Sequence, residues 1–265
     1  MELYYRTYGN GDPLIILHGL YGSSDNWMTA GKKLAETHQV FIPDLRNHGN
    51  SPHSISHNYD VMLDDLLEFF EQHGIKNATL IGHSMGGKLA AYFAYHHPLL
   101  VKKMVIVDIN PLPQDQDTMN KKHVQEHLSI ISALQSIDLS DIKSRTDADN
   151  ILAGSIPSKT IRQFLLKNLS RDKQNQFVWK INLETLQKEL PNIMGGIPVQ
   201  NEMVQIGIPT YFLYGELSHY FDEADIPDIK KAFTNCRFEE FEQTGHWIHA
   251  EQPAKFLEIT QSYIE

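Results

Sequence analysis

Cysteine is nearly missing: Cys236 is the single one in 265 residues. No intramolecular disulfide and no cysteine-based metal site can form, which fits a reducing cytoplasm. Long apolar runs are missing too, and none approaches the roughly 18 residues that a membrane-spanning helix needs. The opening stretch "MELYYRTYGNGDP" lacks a basic segment followed by an apolar one, so no secretory signal is expected. Basic residues are the minority, 23 against 33 acidic, for a net charge of −10. Nucleic acid and anionic membrane surfaces are therefore not expected as partners. Histidine is plentiful at 14 residues, yet no HExxH or comparable spacing occurs, and neither metal nor cofactor is expected. Repeats and low-complexity tracts are absent, and 265 residues suffice for one large core with an insertion.

What is present is an alternation of short apolar runs with helical patterns over the first 110 residues. "LIIL" (14–17), "QVFIP" (39–43), "ATLI" (78–81) and "MVIV" (104–107) read as buried strands. "DNWMTAGKKLAE" with Asp25 as N-cap, "YDVMLDDLLEFFEQHG" stopping at Gly74, and Met85 to Tyr95 read as helices. Continuous apolar strands separated by helices predict a parallel sheet covered on both faces. From about residue 111 to 205 strong strand patterns give way to helical ones, and the alternation returns at "IPTYFLYG" and "RFEEFE", closing with a helix from Pro253. The fold class is α/β, with a core of residues 1–110 and 206–265 and a helical cap inserted at 111–205.

The chemistry centres on "TLIGHSMGGKLAAYF", where Gly82-His83-Ser84-Met85-Gly86 sits between a strand and a helix. G-x-S-x-G in that context is a nucleophile elbow: a sharp turn needs small neighbours and presents the serine at the carboxyl edge of the sheet. The Met85 N–H is then free for an oxyanion, and the loop "LHGLYGSSDNW" offers a second donor in the Leu20 N–H, with Tyr21 beside it. Serine needs a base. His246, in the loop after "RFEEFE", is the candidate; His249 is its rival but falls at the start of the next helix. The acid is expected a few residues past Gly215, where the chain instead reads Glu216-Leu217-Ser218-His219. Asp108 directly follows "MVIV" and ends on the same sheet edge as Ser84, where a buried carboxylate needs a partner such as histidine. Asp108 is the favoured acid, Asp222 the next and Glu216 the third.

These residues resemble the α/β-hydrolase family along essentially the whole chain, through "LHGLYGSSDNW", "DLRNHGNSPHS", "GHSMGGK", "VDINP" and "GHWIHAEQP" in that order. Asn47 stands where that family usually has glycine. More narrowly the chain is similar to the small bacterial esterases of the YbfF type, through the same motifs and "FVWKINLETL". That resemblance implies Asp108 as the acid and Ser218 as a support for the His–Asp pair. It implies hydrolysis of carboxylic esters, or of acyl thioesters, as small-molecule substrates. Carbon–carbon bond hydrolysis or lyase chemistry on the same triad stays open, because the inserted segment carries Arg145, Arg162 and Arg171, which would suit a polyanionic substrate. A non-catalytic binder is the third reading.

Overall fold

The computed structural model describes residues 1–113, 119–197 and 205–265. Its strands are β1 (Tyr5–Tyr8), β2 (Asp12–Leu17), β3 (His38–Pro43), β4 (Ala78–His83), β5 (Val101–Val107), β6 (Leu169–Arg171), β7 (Phe177–Trp179), β8 (Thr210–Gly215) and β9 (Cys236–Phe241). Seven of them form one sheet in the order β1-β3-β2-β4-β5-β8-β9. β1 is antiparallel to β3 and the other pairs are parallel. The sequence reading did not foresee β1: "YRTY" is a half-exposed edge strand of four residues without an apolar run.

The helices are α1 (Ser24–Leu34), α2 (Tyr59–Gln72), α3 (Met85–His96), α4 (Met119–Gln135), α5 (Arg145–Leu152), α6 (Lys159–Leu165), α7 (Leu183–Met194), α8 (Ile226–Ala232), α9 (Ile248–Glu251) and α10 (Pro253–Ile264). Alternation along β2 shows why both faces are covered. Leu14 and Ile16 pack with Trp27, Leu34 and Phe256 on one face. Ile15 and Leu17 pack with Leu66, Phe69 and Leu89 on the other. Successive side chains of a strand point to opposite faces, so an unbroken apolar run needs two layers of helices. Each such fully buried side chain contributes about 1.5–3 kcal/mol.

Between β5 and β8 the described residues carry α4 to α7 and one feature that the helical reading missed, the hairpin of β6 and β7. Its three-residue strands are too short to show a period. The turn is built by Asp172, whose Oδ1 accepts the N–H groups of Gln174 and Gln176 at 2.9 and 2.8 Å. Asn175 there takes a positive φ of 64°, which asparagine tolerates.

Asn47 also has a positive φ, 65°, which accounts for the glycine usual at that place in the resembling family. The asparagine adds bonds that glycine cannot make. Its Oδ1 accepts the Ser54 N–H at 2.7 Å and the Asn182 amide at 3.2 Å. Its own carbonyl accepts the Asn182 N–H at 3.0 Å. Asn182 is the N-cap of α7, so Asn47 ties the segment before α2 to the one between β7 and α7.

Four buried histidines lie under the carboxyl edge of the sheet: His18, His48, His57 and His83. Burial pushes His18 down to about 4 and His48 and His83 to about 3, and holds His57 well below the usual range. The unfolded chain binds protons near pH 6.5 and the folded one does not, so stability is complete above that value and falls as the pH drops towards about 4. At pH 5 the loss is about 2 kcal/mol for each of His18, His48 and His83, a large share of a typical total of ~5–15 kcal/mol. Urea unfolding midpoints are therefore expected to fall steadily from pH 7 to pH 5; a midpoint unchanged across that range would contradict a neutral histidine cluster.

Candidate active site

Ser84 follows β4 with φ 53° and ψ −118°. The turn works only because the residues two positions away on either side have no side chains: a Cβ on Gly82 would lie 2.3 Å from the Gly86 carbonyl oxygen, and one on Gly86 would lie 2.3 Å from that of Leu17. The Ser84 N–H donates to Val107 O at 3.0 Å, and the Ser84 carbonyl accepts from Gly87 and Lys88 at 2.8 and 3.1 Å. The elbow is thus stapled to the end of β5 on one side and to the first turn of α3 on the other.

Asp108, one residue past β5, also has a positive φ, 52°, and its N–H donates to Leu213 O at 2.7 Å. Such conformations cost roughly 1–3 kcal/mol each and persist only where the surroundings impose them. The side chain is fully buried. Its Oδ1 accepts the Gly215 N–H at 2.9 Å. Its Oδ2 accepts the Ser218 hydroxyl and sits 2.6 Å from His246 Nδ1. Burial raises the Asp108 carboxyl, and the Ser218 and Gly215 donors work against that rise. Burial pushes the His246 imidazole down.

His246 sits in the loop between β9 and α9. Two groups that sequence reasoning passed over hold it there. The Glu251 carboxylate accepts both flanking N–H groups, Gly245 at 2.8 Å and Trp247 at 3.1 Å. His83 Nε2 donates to His246 O at 2.9 Å. The residues are visible in "GHWIHAE" and "GHSMGG", but their partners are created only by the fold.

The rivals lie elsewhere. His249 is in α9, stacked on Trp27 at 4.0 Å between ring centroids. Asp222 accepts the Ala224 N–H at 2.8 Å, and Glu216 accepts the Gln243 N–H at 2.7 Å; both are exposed. Leu20 and Met85 border a recess of about 20 Å³ beside Ser84, and Met85 opens α3, where helical N–H groups lack internal partners. Next to it, Ser84 and His246 face a cavity of about 430 Å³ walled by Ile130, Ile156, Ile161, Phe164 and Trp247. None of the three candidate arginines lines that cavity. Arg145 donates to Leu169 O, Arg162 pairs with Asp149, and Arg171 bonds the carbonyls of Asn175 and Lys143. Among the described residues no cluster of His, Cys, Asp and Glu is arranged to hold a metal ion, and no helix is long and apolar enough to cross a membrane.

A family model described as the alpha/beta hydrolase fold matches residues 12–142. The sn-1-specific diacylglycerol lipase ABHD11 of Danio rerio is 36% identical, covering 97% of this chain and 80% of its own. The chain belongs to the α/β-hydrolase family. Esterase YbfF of Escherichia coli is another relative, 31% identical over 96% of this chain and 94% of its own. A solved structure titled "Marine microorganism esterase" superimposes with a TM-score of 0.93 at 42% identity, over 99% of both chains. As a member of this family the chain is an enzyme of the hydrolase class.

Proposed function

We propose that this α/β-hydrolase cleaves carboxylic esters of apolar acyl groups, and acyl thioesters of the same kind, through a covalent acyl-enzyme on Ser84. The observation that carries the reading is the 2.6 Å contact between Asp108 Oδ2 and His246 Nδ1 beside a largely apolar cavity that Ser84 and His246 share. His246 Nε2 takes the Ser84 proton as the hydroxyl attacks the acyl carbonyl. The Leu20 and Met85 N–H groups receive the oxyanion. His246 then protonates the leaving alkoxide or thiolate, and water, deprotonated by His246, releases the acid. Asp108 accepts Nδ1–H, which leaves Nε2 free as the base and stabilises the cationic ring. Ser218 and Gly215 hold the carboxylate in that orientation. Residues 111–205 serve as the cap: α4 and the 155–165 stretch supply most of the apolar wall, so the acyl group sits beneath them.

The test is hydrolysis of p-nitrophenyl esters from acetate to palmitate. Turnover is expected, with an optimum at an intermediate chain, because the cavity is bounded on the cap side. Failure to turn over any chain length would overturn the reading. The polyanion-directed lyase has no support in the cavity, whose walls hold none of the three arginines.

A further inference from the structure

One cap residue reaches both halves of the reaction centre. His127, on α4, lies with Nδ1 3.2 Å from the Tyr21 hydroxyl and with Nε2 3.1 Å from the Tyr220 hydroxyl. Tyr21 directly follows Leu20 and is held at φ 61°. Its N–H donates to His48 Nε2 at 3.3 Å, and its carbonyl accepts the Asn168 amide at 2.8 Å. Tyr220 lies against the His246 ring, 4.1 Å between centroids. Its N–H donates to the same Ser218 oxygen that bonds Asp108, at 3.2 Å, and its carbonyl accepts the Asn110 N–H at 3.1 Å.

We propose that His127 is a positioning residue which couples the cap to the oxyanion loop through Tyr21 and to the base through Tyr220. The inference rests on the serine-hydrolase reading above. With the Tyr21 hydroxyl donating to the His127 carbonyl at 3.4 Å, its oxygen accepts from Nδ1–H and Nε2 accepts the Tyr220 proton; turned to Nδ1 at 3.2 Å instead, the same hydroxyl leaves Nε2–H to donate to the Tyr220 oxygen. A neutral ring has one donor and one acceptor, and both are used. Burial, the first cause, pushes this histidine down to about 3, which keeps it in that form. The arrangement joins three segments far apart in the chain at residues 21, 127 and 220, all of them lining the cavity with Ser84 and His246. Opening of the cap at α4 would release Leu20 and His246 together, so that site assembly and cap closure become one event.

The experiment is steady-state p-nitrophenyl ester hydrolysis by His127→Ala, His127→Asn, His127→Gln, Tyr21→Phe, Tyr220→Phe and the double variants of His127→Ala with each tyrosine change. Urea midpoints are taken alongside, and wild type and Ser84→Ala are run as references for the underlying chemistry. A His127→Ala loss of about ten- to a hundredfold is expected in kcat, with KM changed less than threefold. Asparagine can replace the Nδ1 contact and should recover part of the Tyr21 route; glutamine should recover part of the Tyr220 route. Each double variant is expected to fall no further than the worse single one, since residues acting through one contact are not additive. If His127→Ala destabilises the fold, the two tyrosine variants, each lacking one hydroxyl, still test the contacts by their kcat. Wild-type turnover that is lost in Ser84→Ala but kept within twofold in His127→Ala would overturn the coupling and leave the serine-hydrolase reading standing. Full activity in both tyrosine variants, or strictly additive double variants, would overturn it too. Absence of wild-type turnover would remove the reading beneath it instead.

Discussion

Ser84→Ala is expected to abolish ester hydrolysis, with a loss on the order of 10⁴- to 10⁶-fold, as removal of the nucleophile does in other serine enzymes. The fold should survive the change. Alanine occupies less space than serine, and the strained φ of 53° is imposed by bonds that the backbone makes. The 3.0 Å bond from the residue-84 N–H to Val107 O and the bonds from Gly87 and Lys88 do not need the hydroxyl. The urea midpoint should therefore stay close to wild type while turnover disappears. Mass spectrometry supplies the complementary reading: a slow ester should leave one acyl group on the wild-type chain, at the peptide containing Ser84, and none on the variant. A variant that keeps a tenth of wild-type turnover, or wild-type acylation at another residue, would sink Ser84 as the nucleophile.

Much of this architecture could be read from residues alone, for a definite reason. The runs 14–17 of β2, 78–81 of β4 and 104–107 of β5, and most of β8, are buried on both faces, and a run in that position is mostly apolar, so it announces itself. The turn after β4 demands Gly82 and Gly86 by direct collision, so it announces itself too. That Asp108 would meet a partner such as histidine was readable, because a lone carboxylate at the end of "MVIV" is costly to bury without one. β1 was not readable, since an edge strand with one face in solvent needs no such composition. Nor was the β6–β7 hairpin, whose identity lies in an Asp172 turn and not in a period. His127 was hidden among 14 histidines. What distinguishes it is the pair of tyrosines that folding brings from 106 and 93 positions away. Glu251 was hidden for the same reason at shorter range: its role exists only once α9 turns its carboxylate back onto Gly245 and Trp247.

Asp108→Asn should cost about 10⁴-fold in kcat, or ~5.5 kcal/mol at 1.36 kcal/mol per tenfold, while Asp222→Asn should stay within about twofold. The size of the first effect follows from the donors around the side chain. Gly215 presents an N–H to Oδ1 at 2.9 Å and cannot turn away, because it is backbone. An asparagine must therefore put its carbonyl oxygen there and its amide nitrogen where Oδ2 was. That nitrogen donates. It faces the Ser218 hydroxyl, which can rotate to accept, and His246 Nδ1, which can accept only by giving up its proton. The ring is then driven into the Nε2–H tautomer, and the atom that should take the Ser84 proton already carries one. The geometry is intact and the chemistry is not, so KM should move little and the loss should appear in kcat. Asp222 has no such leverage: its Oδ1 caps the Ala224 N–H at the protein surface, and asparagine caps equally well. Measured side by side, a large loss at 222 with little at 108 would transfer the acid to Asp222 and make the contact with His246 incidental. A loss at 108 that Ser218→Ala partly reproduces would mean that the hydroxyl helps to hold the carboxylate in the orientation the histidine needs.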